Sequence, residues 1–238
     1  MAVRVPDILY EDNHLLVVNK AAGTLVHGDE TGDEPLVEML KMYIKEKYHK
    51  PGAVFLGVVH RLDRPVSGAV VFGRTSKALE RMNELFRDRK TLKVYWAIVA
   101  NRPPLTEATL VHWLRKDEAK NRTTVYKRET AGALRSELSY KLIAEHSGYF
   151  LLEVRPVTGR SHQIRVQLFA MGCPIVGDVK YGYASPTADG SICLHARMLE
   201  FIHPVKKVSL KITAPLPDTQ FWMYFATLSK RNGNTSMD

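Results

Sequence analysis

The sequence is poor in cysteine. Among its 238 residues only Cys173 and Cys193 are cysteines, and they lack the CxxC spacing or the neighbouring histidine cluster of a zinc site. A disulfide framework is excluded for the same reason, because a small secreted scaffold would need more cysteines. We therefore expect two reduced, partly buried thiols, as in a cytoplasmic protein.

Long hydrophobic runs and low-complexity segments are also missing. No apolar stretch approaches the roughly 20 residues that cross a bilayer, and the N-terminal residues have no apolar core of a signal peptide. We expect no membrane association and a cytoplasmic location. Without an internal repeat or a linker, the chain is expected to form one domain over residues 1–228, followed by a disordered polar tail at 229–238.

Positive charge is in excess. The chain has 34 Lys and Arg against 25 Asp and Glu, a formal net charge of +9. Basic proteins of this size often bind polyanions, because each cation placed near a phosphate displaces a counterion. Composition alone leaves a nucleic-acid partner and an ordinary solvated surface equally open. The basic candidates for RNA contact are the predicted helix 76–89 and Arg115, Lys116, Lys120, Arg122, Lys127 and Arg128.

The apolar patterns predict more strands than helices. Short Val-rich or alternating runs favour single strands, and two pairs of runs around turn residues favour antiparallel hairpins. The predicted strands are 15–19, 69–72 and 93–99, and the predicted hairpins are 137–145 with 149–155 and 192–201 with 208–213. Helices are predicted at 35–48, at 76–89 with Ser76 as its cap, and at 161–171 before Gly172. These elements predict an α+β fold with a largely antiparallel sheet.

The segment 60–68 reads HRLDRPVSG and concentrates charge at the edge of a predicted strand. Asp63 lies near Arg61 and Arg64, and nearby cations keep a carboxylate ionised. Such a carboxylate can act as a nucleophile or stabilise a cationic sugar. The alternative is a solvated turn with an Arg–Asp ion pair, which composition alone favours.

The segment 158–166 reads TGRSHQIRV, follows a predicted strand and opens a predicted helix. Backbone N–H groups at a helix start, together with basic side chains, favour an anion. His162 and Arg165 share one helix face, and Arg165 could offer a fixed fork to a carboxylate or phosphate. A capped amphipathic helix with exposed charge is an equal alternative.

Tyr95 lies in the strand segment KVYWA, on the opposite face from Trp96. A ring offered to a cavity can stack on a flipped base, although ordinary packing is the more common role of a strand tyrosine. The later segment 194–197, LHAR, makes no prediction by itself.

Taken in order along the chain, these segments resemble the RluA-type pseudouridine synthases. The matching segments are VVNKAAG at 17–23, HRLD with the following SG at 60–68, KxYxA around Tyr95, TGRSHQIR at 158–165, GDxxYG at 177–182 and LHA with a later F.HP at 194–204. The similarity spans roughly residues 8–217. Six motifs in register identify the family far better than any one of them.

Several positions depart from the family pattern. They concern loop shape and substrate fit, and none removes the Asp, Tyr or Arg of the motifs. The departures are Ala21-Ala22, Val66, Ser161, Gln167 and Val179-Lys180. Because the similarity starts close to Met1, we expect no S4-like RNA-binding module, and RNA binding by the catalytic domain itself.

The resemblance implies an RNA pseudouridine synthase that isomerises uridines in ribosomal RNA, tRNA or both. Asp63 would be the catalytic carboxylate acting on a flipped-out base, and Arg165 would pair with Asp63. Tyr95, the third catalytic residue, would stack on the base and is the candidate for removing the C5 proton. The implied substrate-binding residues are His60, Arg61, Arg160, His162, Gln163 and Leu194. The reaction is redox-neutral and needs no activated donor, so no metal or organic cofactor is expected.

The implied fold is the pseudouridine synthase fold, a largely antiparallel mixed sheet with flanking helices and loops around a central RNA-binding cleft. The expected partner is RNA, with no obligatory protein partner and a monomeric chain. Two alternatives remain open: an RNA-binding protein without activity, and an N-glycosylase that cleaves the base without rejoining it.

Overall fold

The structure is a computed structural model that describes residues 7–28 and 32–226. The predicted disordered tail at 229–238 lies outside these residues. Contacts within the chain divide it into two compact units. The first contains the described residues up to Lys93 together with Ala196–Pro215, and the second contains Val94–His195 and residues 216–226. The single domain predicted for 1–228 stays a prediction.

The described residues contain many strands and few helices, as the sequence predicts. The strands are β1 (Asp7–Glu11), β2 (Leu15–Lys20), β3 (Gly57–Val58), β4 (Ser67–Gly73), β5 (Thr91–Val99), β6 (Glu107–Asp117), β7 (Arg122–Tyr126), β8 (Leu134–His146), β9 (Tyr149–Pro156), β10 (Leu194–Ile202) and β11 (Ser209–Thr213). The helices are α1 (Leu36–Lys47), α2 (Ser76–Arg87), α3 (Gln163–Ala170) and α4 (Gln220–Met223), with a 3₁₀ turn at Val179–Tyr181. The α+β class is confirmed.

In the first unit, β2 pairs antiparallel with β1 and with β4, and β10 pairs antiparallel with β11. Residues 15–18 of β2 are completely buried. A strand buried on both faces reads as a continuous apolar run, which explains why the sequence predicts it. Leu15 and Val71 pack in one cluster with Met82 of α2 and Phe201 of β10.

The three predicted helices are confirmed, with corrections at their ends. Thr75, and not Ser76, caps α2, since its side-chain oxygen accepts the N–H of Ala78 at 3.1 Å. The prediction of Ser76 as the cap is therefore wrong by one residue. The third helix begins at Gln163 because His162 has a left-handed backbone conformation, with φ of 52°. A residue in that conformation stands outside the helix that it precedes.

In the second unit, β5, β9, β8, β6 and β7 follow one another as antiparallel neighbours. The hairpin predicted around residues 146–148 is confirmed, and Ser147 and Gly148 take positive φ values of 51° and 78° at its turn. The β6–β7 hairpin was not predicted. Its strand β6 is partly exposed on both faces, so the period-two pattern is weak.

One face of the β6–β7 hairpin packs against α3. Leu114 of β6 joins Val166 of α3 and Tyr181 in a buried cluster, with Val125 of β7 beside it.

In the described part of the chain no helix is long and apolar enough to cross a membrane.

Candidate active site

In the first unit, the HRLD segment forms a loop that turns directly into β4. Leu62 is buried, Asp63 is half-buried, and Arg61 is exposed. The carbonyl of Asp63 accepts the N–H of Val66 at 3.0 Å, which closes a turn just before the strand. Asp63 thus lies in a hydrogen-bonded turn that leads directly into β4.

Arg64 anchors this loop from outside. Its guanidinium lies 2.6 Å from the carboxylate of Asp33, and its Nε donates to the carbonyl of Gly23 at 3.0 Å. The N–H of Gly23 donates in return to the carbonyl of Arg64 at 2.8 Å. Arg64, one of the two arginines that the sequence places beside Asp63, therefore ties the HRLD loop to the loop after β2.

Lys20 is a site residue to which the sequence reasoning assigned no role. Its side chain is almost completely buried at the end of β2, and its Nζ donates to the carbonyls of Ala21 at 3.0 Å, Thr24 at 2.7 Å and Arg64 at 3.1 Å. Burial lowers the pKa of Lys20 to about 7, although the nearby Asp63 carboxylate raises it. The NK pair of the 17–23 motif carries the signal for this residue.

His60 makes structural contacts. Its Nε2 accepts the N–H of Val71 at 3.2 Å, and its ring stacks on Phe86 of α2 with centroids 4.8 Å apart. Burial lowers the pKa of His60 to about 3, and the ammonium of Lys93 lowers it further. The imidazole is therefore neutral near pH 7 and fixes the loop against β4. Its contact with substrate stays a prediction.

In the second unit, the guanidinium of Arg165 is held by a buried carboxylate and an aromatic ring. Its Nε and one terminal nitrogen donate to the two carboxylate oxygens of Asp178 at 2.7 and 2.8 Å, and both side chains are buried. The guanidinium carbon also lies 5.1 Å from the ring centroid of Tyr181. A bidentate pair and a ring fix the plane of the arginine fork.

Asp178 and Tyr181 are further site residues without a role in the sequence reasoning. Both belong to the GDxxYG motif at 177–182, so the signal was present as a resemblance. Only the structure shows that the motif supports Arg165. Gly177, with φ of 85°, shapes this turn, because a Cβ there would lie 2.7 Å from the carbonyl oxygen of Ser191.

The buried side chains of the TGRSHQIR segment form hydrogen bonds with neighbouring residues of the protein. Gln163 is buried; its Oε1 accepts from the Thr158 hydroxyl at 2.7 Å and the Arg160 N–H at 3.0 Å, and its Nε2 donates to the carbonyl of Glu137 at 3.0 Å. His162 is buried and shares a 2.8 Å hydrogen bond between Nδ1 and the Tyr181 hydroxyl. These contacts position the loop. Substrate contacts of Gln163 and His162 stay predictions, as does that of the exposed Arg160.

Tyr95 and Leu194 lie on strands. Tyr95 is half-buried opposite Val154 of β9, while Trp96 on the other face is buried, as the alternation predicts. Leu194 is buried at the start of β10, and the preceding Cys193 accepts the N–H of Ile98 from β5 at 2.9 Å. The second unit therefore carries Tyr95, Arg165 and Leu194, whereas Asp63 belongs to the first. The predicted pairing of Asp63 with Arg165 stays a prediction.

The described residues contain no group of three or more His, Cys, Asp or Glu side chains that could hold a metal ion.

Comparison with known proteins places these features in one family. The RNA pseudouridylate synthase family model matches residues 14–170. "Ribosomal large subunit pseudouridine synthase C" of Vibrio cholerae is 33% identical over 221 residues, covering 88% of this chain and 65% of that protein. "Ribosomal large subunit pseudouridine synthase D" of Xylella fastidiosa is 34% identical over 226 residues, covering 89% of this chain and 66% of that protein. The chain thus spans about 65% of the length of such curated relatives.

Solved structures agree with the sequence comparison. "Human RNA Pseudouridylate Synthase Domain Containing 4" is similar with a TM-score of 0.76 at 25% identity, covering 95% of this chain and 93% of that one. "Human RNA Pseudouridylate Synthase Domain Containing 1" has the same fold, with a TM-score of 0.67 at 20% identity over all of this chain and 99% of that one. The chain belongs to the RNA pseudouridylate synthase family.

Proposed function

We propose that this protein isomerises specific uridines in RNA to pseudouridine. The observation that carries the proposal is the family match over residues 14–170, which contains both the Asp63 turn and the Arg165 helix. The geometry supports it, because the loop of Asp63 is held by Lys20 and Arg64, and Arg165 is locked by Asp178.

Asp63 is the proposed catalytic carboxylate. It assists cleavage of the bond between N1 of uracil and C1′ of the ribose, the base rotates, and C5 bonds to C1′. N1 gains a proton and C5 loses one, so the product is an isomer of the substrate. A positioned, ionised carboxylate suits this chemistry, since the sugar carbon becomes electron-poor as its bond to nitrogen breaks.

The other predicted residues serve this step. Arg165 pairs with Asp63 and keeps it ionised and oriented. Tyr95 stacks on the flipped base and is the candidate for removing the C5 proton, and Leu194 lines the base pocket. Arg61 is exposed, and it either contacts a phosphate or fills the space that the flipped nucleotide vacates.

The proposed substrate is ribosomal RNA, tRNA or both. The names of the curated relatives specify the large ribosomal subunit, which supports ribosomal RNA in particular. A monomer in the cytoplasm that binds RNA through its catalytic domain completes the proposal.

The activity is testable by release of the C5 hydrogen. RNA transcripts labelled with tritium at C5 of uridine should release tritium with the wild-type protein, and Asp63→Asn should lower the rate by at least 1,000-fold, since the carboxylate takes part in bond cleavage. Asp218→Asn makes the same chemical change at an exposed carboxylate and should leave the rate unchanged.

Two outcomes would contradict the proposal. Free uracil in the reaction would indicate an N-glycosylase. A wild-type protein that forms no pseudouridine, and whose RNA affinity is unchanged by Asp63→Asn, would indicate a binding protein. Carbodiimide-blocked primer extension on ribosomal RNA and tRNA, with and without the gene, identifies the modified uridines.

A further inference from the structure

Tyr181 connects three groups that the sequence motifs leave separate. It is almost completely buried, and burial raises the pKa of its phenol, so the hydroxyl is neutral and able both to donate and to accept. Its oxygen accepts the N–H of Thr123 in β7 at 2.8 Å and lies 2.8 Å from Nδ1 of His162. The ring lies under the guanidinium of Arg165.

The β6–β7 hairpin reaches the same residue from the other side. The guanidinium carbon of Arg122, at the start of β7, lies 5.5 Å from the ring centroid of Tyr181. The Thr123 hydroxyl donates to the carbonyl of Ser161 at 3.0 Å, just before α3. The Lys180 ammonium donates to the carbonyl of Asn121 at the hairpin turn, also at 3.0 Å. The hairpin is therefore attached to the loop before Arg165 and to the motif that contains Asp178.

We propose that Tyr181 is a positioning residue for Arg165, and that the β6–β7 hairpin sets the orientation of Arg165 through it. The inference rests on the proposed function and deepens it, because it joins a segment with exposed basic residues to the arginine of the active site. Thr123 and Arg122 of the hairpin both contact Tyr181.

The physical basis is a shared neutral phenol. With its hydroxyl removed, the buried N–H of Thr123 and the Nδ1 of His162 lose a partner, and the ring is no longer tethered. A small displacement of the ring moves the cationic group stacked on it, and a displacement of about 1 Å at a catalytic group costs up to about 100-fold in rate. The effect falls on the chemical step and not on RNA affinity.

Tyr181→Phe is the direct test, with Tyr126→Phe as the matched control. Tyr126 is also a tyrosine of the hairpin region under a guanidinium, since Arg115 lies 5.3 Å from its ring centroid and donates to its hydroxyl at 2.6 Å. Tyr181→Phe should lower kcat for pseudouridine formation about tenfold or more with KM within twofold. Tyr126→Phe should change neither, and a rise in KM with unchanged kcat in Tyr181→Phe would overturn the proposal.

Arg122→Met tests the hairpin side of the connection. Arg122 is exposed, so its removal should not prevent folding. If it acts through Tyr181, kcat falls severalfold and KM stays constant. If KM rises alone, Arg122 contacts RNA directly and the hairpin does not set Arg165.

A measurement that does not depend on catalytic activity distinguishes this proposal from the proposed function. In the free wild-type protein, the Nε–H of Arg165 is expected to exchange slowly with solvent in NMR, because it donates to buried Asp178. Exchange should accelerate at least tenfold in Tyr181→Phe and severalfold in Arg122→Met. Unchanged exchange in both variants would overturn the positioning role, whereas accelerated exchange in a protein that forms no pseudouridine would contradict only the proposed function.

Discussion

At the scale of single residues, the site depends on side chains that are buried in an unusual ionisation state. Lys20 carries a pKa lowered to about 7 by burial, and His60 one lowered to about 3. Both attach the HRLD loop to a strand, Lys20 through backbone carbonyls and His60 through the N–H of Val71. The loop is therefore held by groups whose charge depends on pH.

His60 makes the stability of the protein sensitive to acid. Its folded pKa of about 3 lies below the unfolded value of 6.5, so its stabilising contribution is fully present above pH 6.5 and is lost as the pH falls toward 3. At pH 5 the loss is about 2 kcal/mol, since each pKa unit corresponds to 1.36 kcal/mol. His60→Gln keeps an acceptor for Val71 and does not titrate.

Urea unfolding at pH 7 and pH 5 measures this contribution. The wild-type free energy of unfolding should fall by about 2 kcal/mol more than that of His60→Gln between the two pH values. Equal pH dependence in both proteins would show that His60 does not carry the effect.

At the scale of elements, close approach of backbones determines which residues the motifs tolerate. Gly68 is the second residue of strand β4, SGAVVFG, and has a φ of 117°. A Cβ built there would lie 2.4 Å from the carbonyl oxygen and 2.5 Å from the nitrogen of Ala196 in β10. Neither atom is a flexible side chain. The SG of the HRLD motif is therefore a packing requirement between two strands, and Gly is the residue that meets it.

Gly68→Ala should destabilise the protein by about 3 kcal/mol or more, because it combines a backbone clash with an unfavourable φ. Gly52→Ala is the matched control, since its added Cβ meets no atom within 4 Å and its φ is not positive. Thermal unfolding of both variants provides the comparison. A Gly68→Ala melting temperature within 2 °C of the wild type would contradict the stated clash.

Helix ends show the limit of local patterns at this scale. Ser76 is the predicted cap of α2, and the neighbouring Thr75 is also a residue type that caps well. Thr75 is chosen because its backbone is extended, at φ −136° and ψ 152°, where the chain leaves β4. That geometry belongs to the connection between strand and helix and is not encoded in the cap residue.

At the scale of the whole molecule, the net charge of +9 predicts salt-sensitive RNA binding. Lys120 and Lys127 are exposed around β7, in the basic stretch proposed to contact RNA, whereas Lys45 and Lys50 are exposed at the end of α1. Charge acts at long range in general, but only cations close to phosphate release counterions. A comparison of these two lysine pairs therefore distinguishes direct contact with phosphate from general electrostatic attraction.

Replacement of Lys120 and Lys127 by Ala should weaken RNA binding and reduce the slope of log affinity against log salt by about 1.4, from roughly 0.7 per lost contact on single strands. Replacement of Lys45 and Lys50 should leave the slope unchanged. Filter binding of an unpaired RNA at several salt concentrations measures both. A similar slope change for the two pairs would indicate general electrostatic attraction. The proposed contact between the β7 region and RNA would then be wrong.

The sequence by itself determined the family, the α+β class and most strands, because motif order and buried apolar runs are local and linear. It also predicted the face of Tyr95, since side chains alternate along a strand. It missed β6, whose residues are partly exposed on both faces, and its partner strand β7, and it assigned no role to Lys20, Asp178 or Tyr181.

Those roles were decided by the tertiary structure, because each depends on atoms distant in the chain. Lys20 meets the carbonyl of Arg64, Tyr181 meets Thr123, and Arg165 meets Asp178. Burial then determines which charges are neutralised and which are paired, and burial is a property of the packed fold. A motif can thus name the catalytic residues, while the residues that hold them in place emerge only where separate segments pack together.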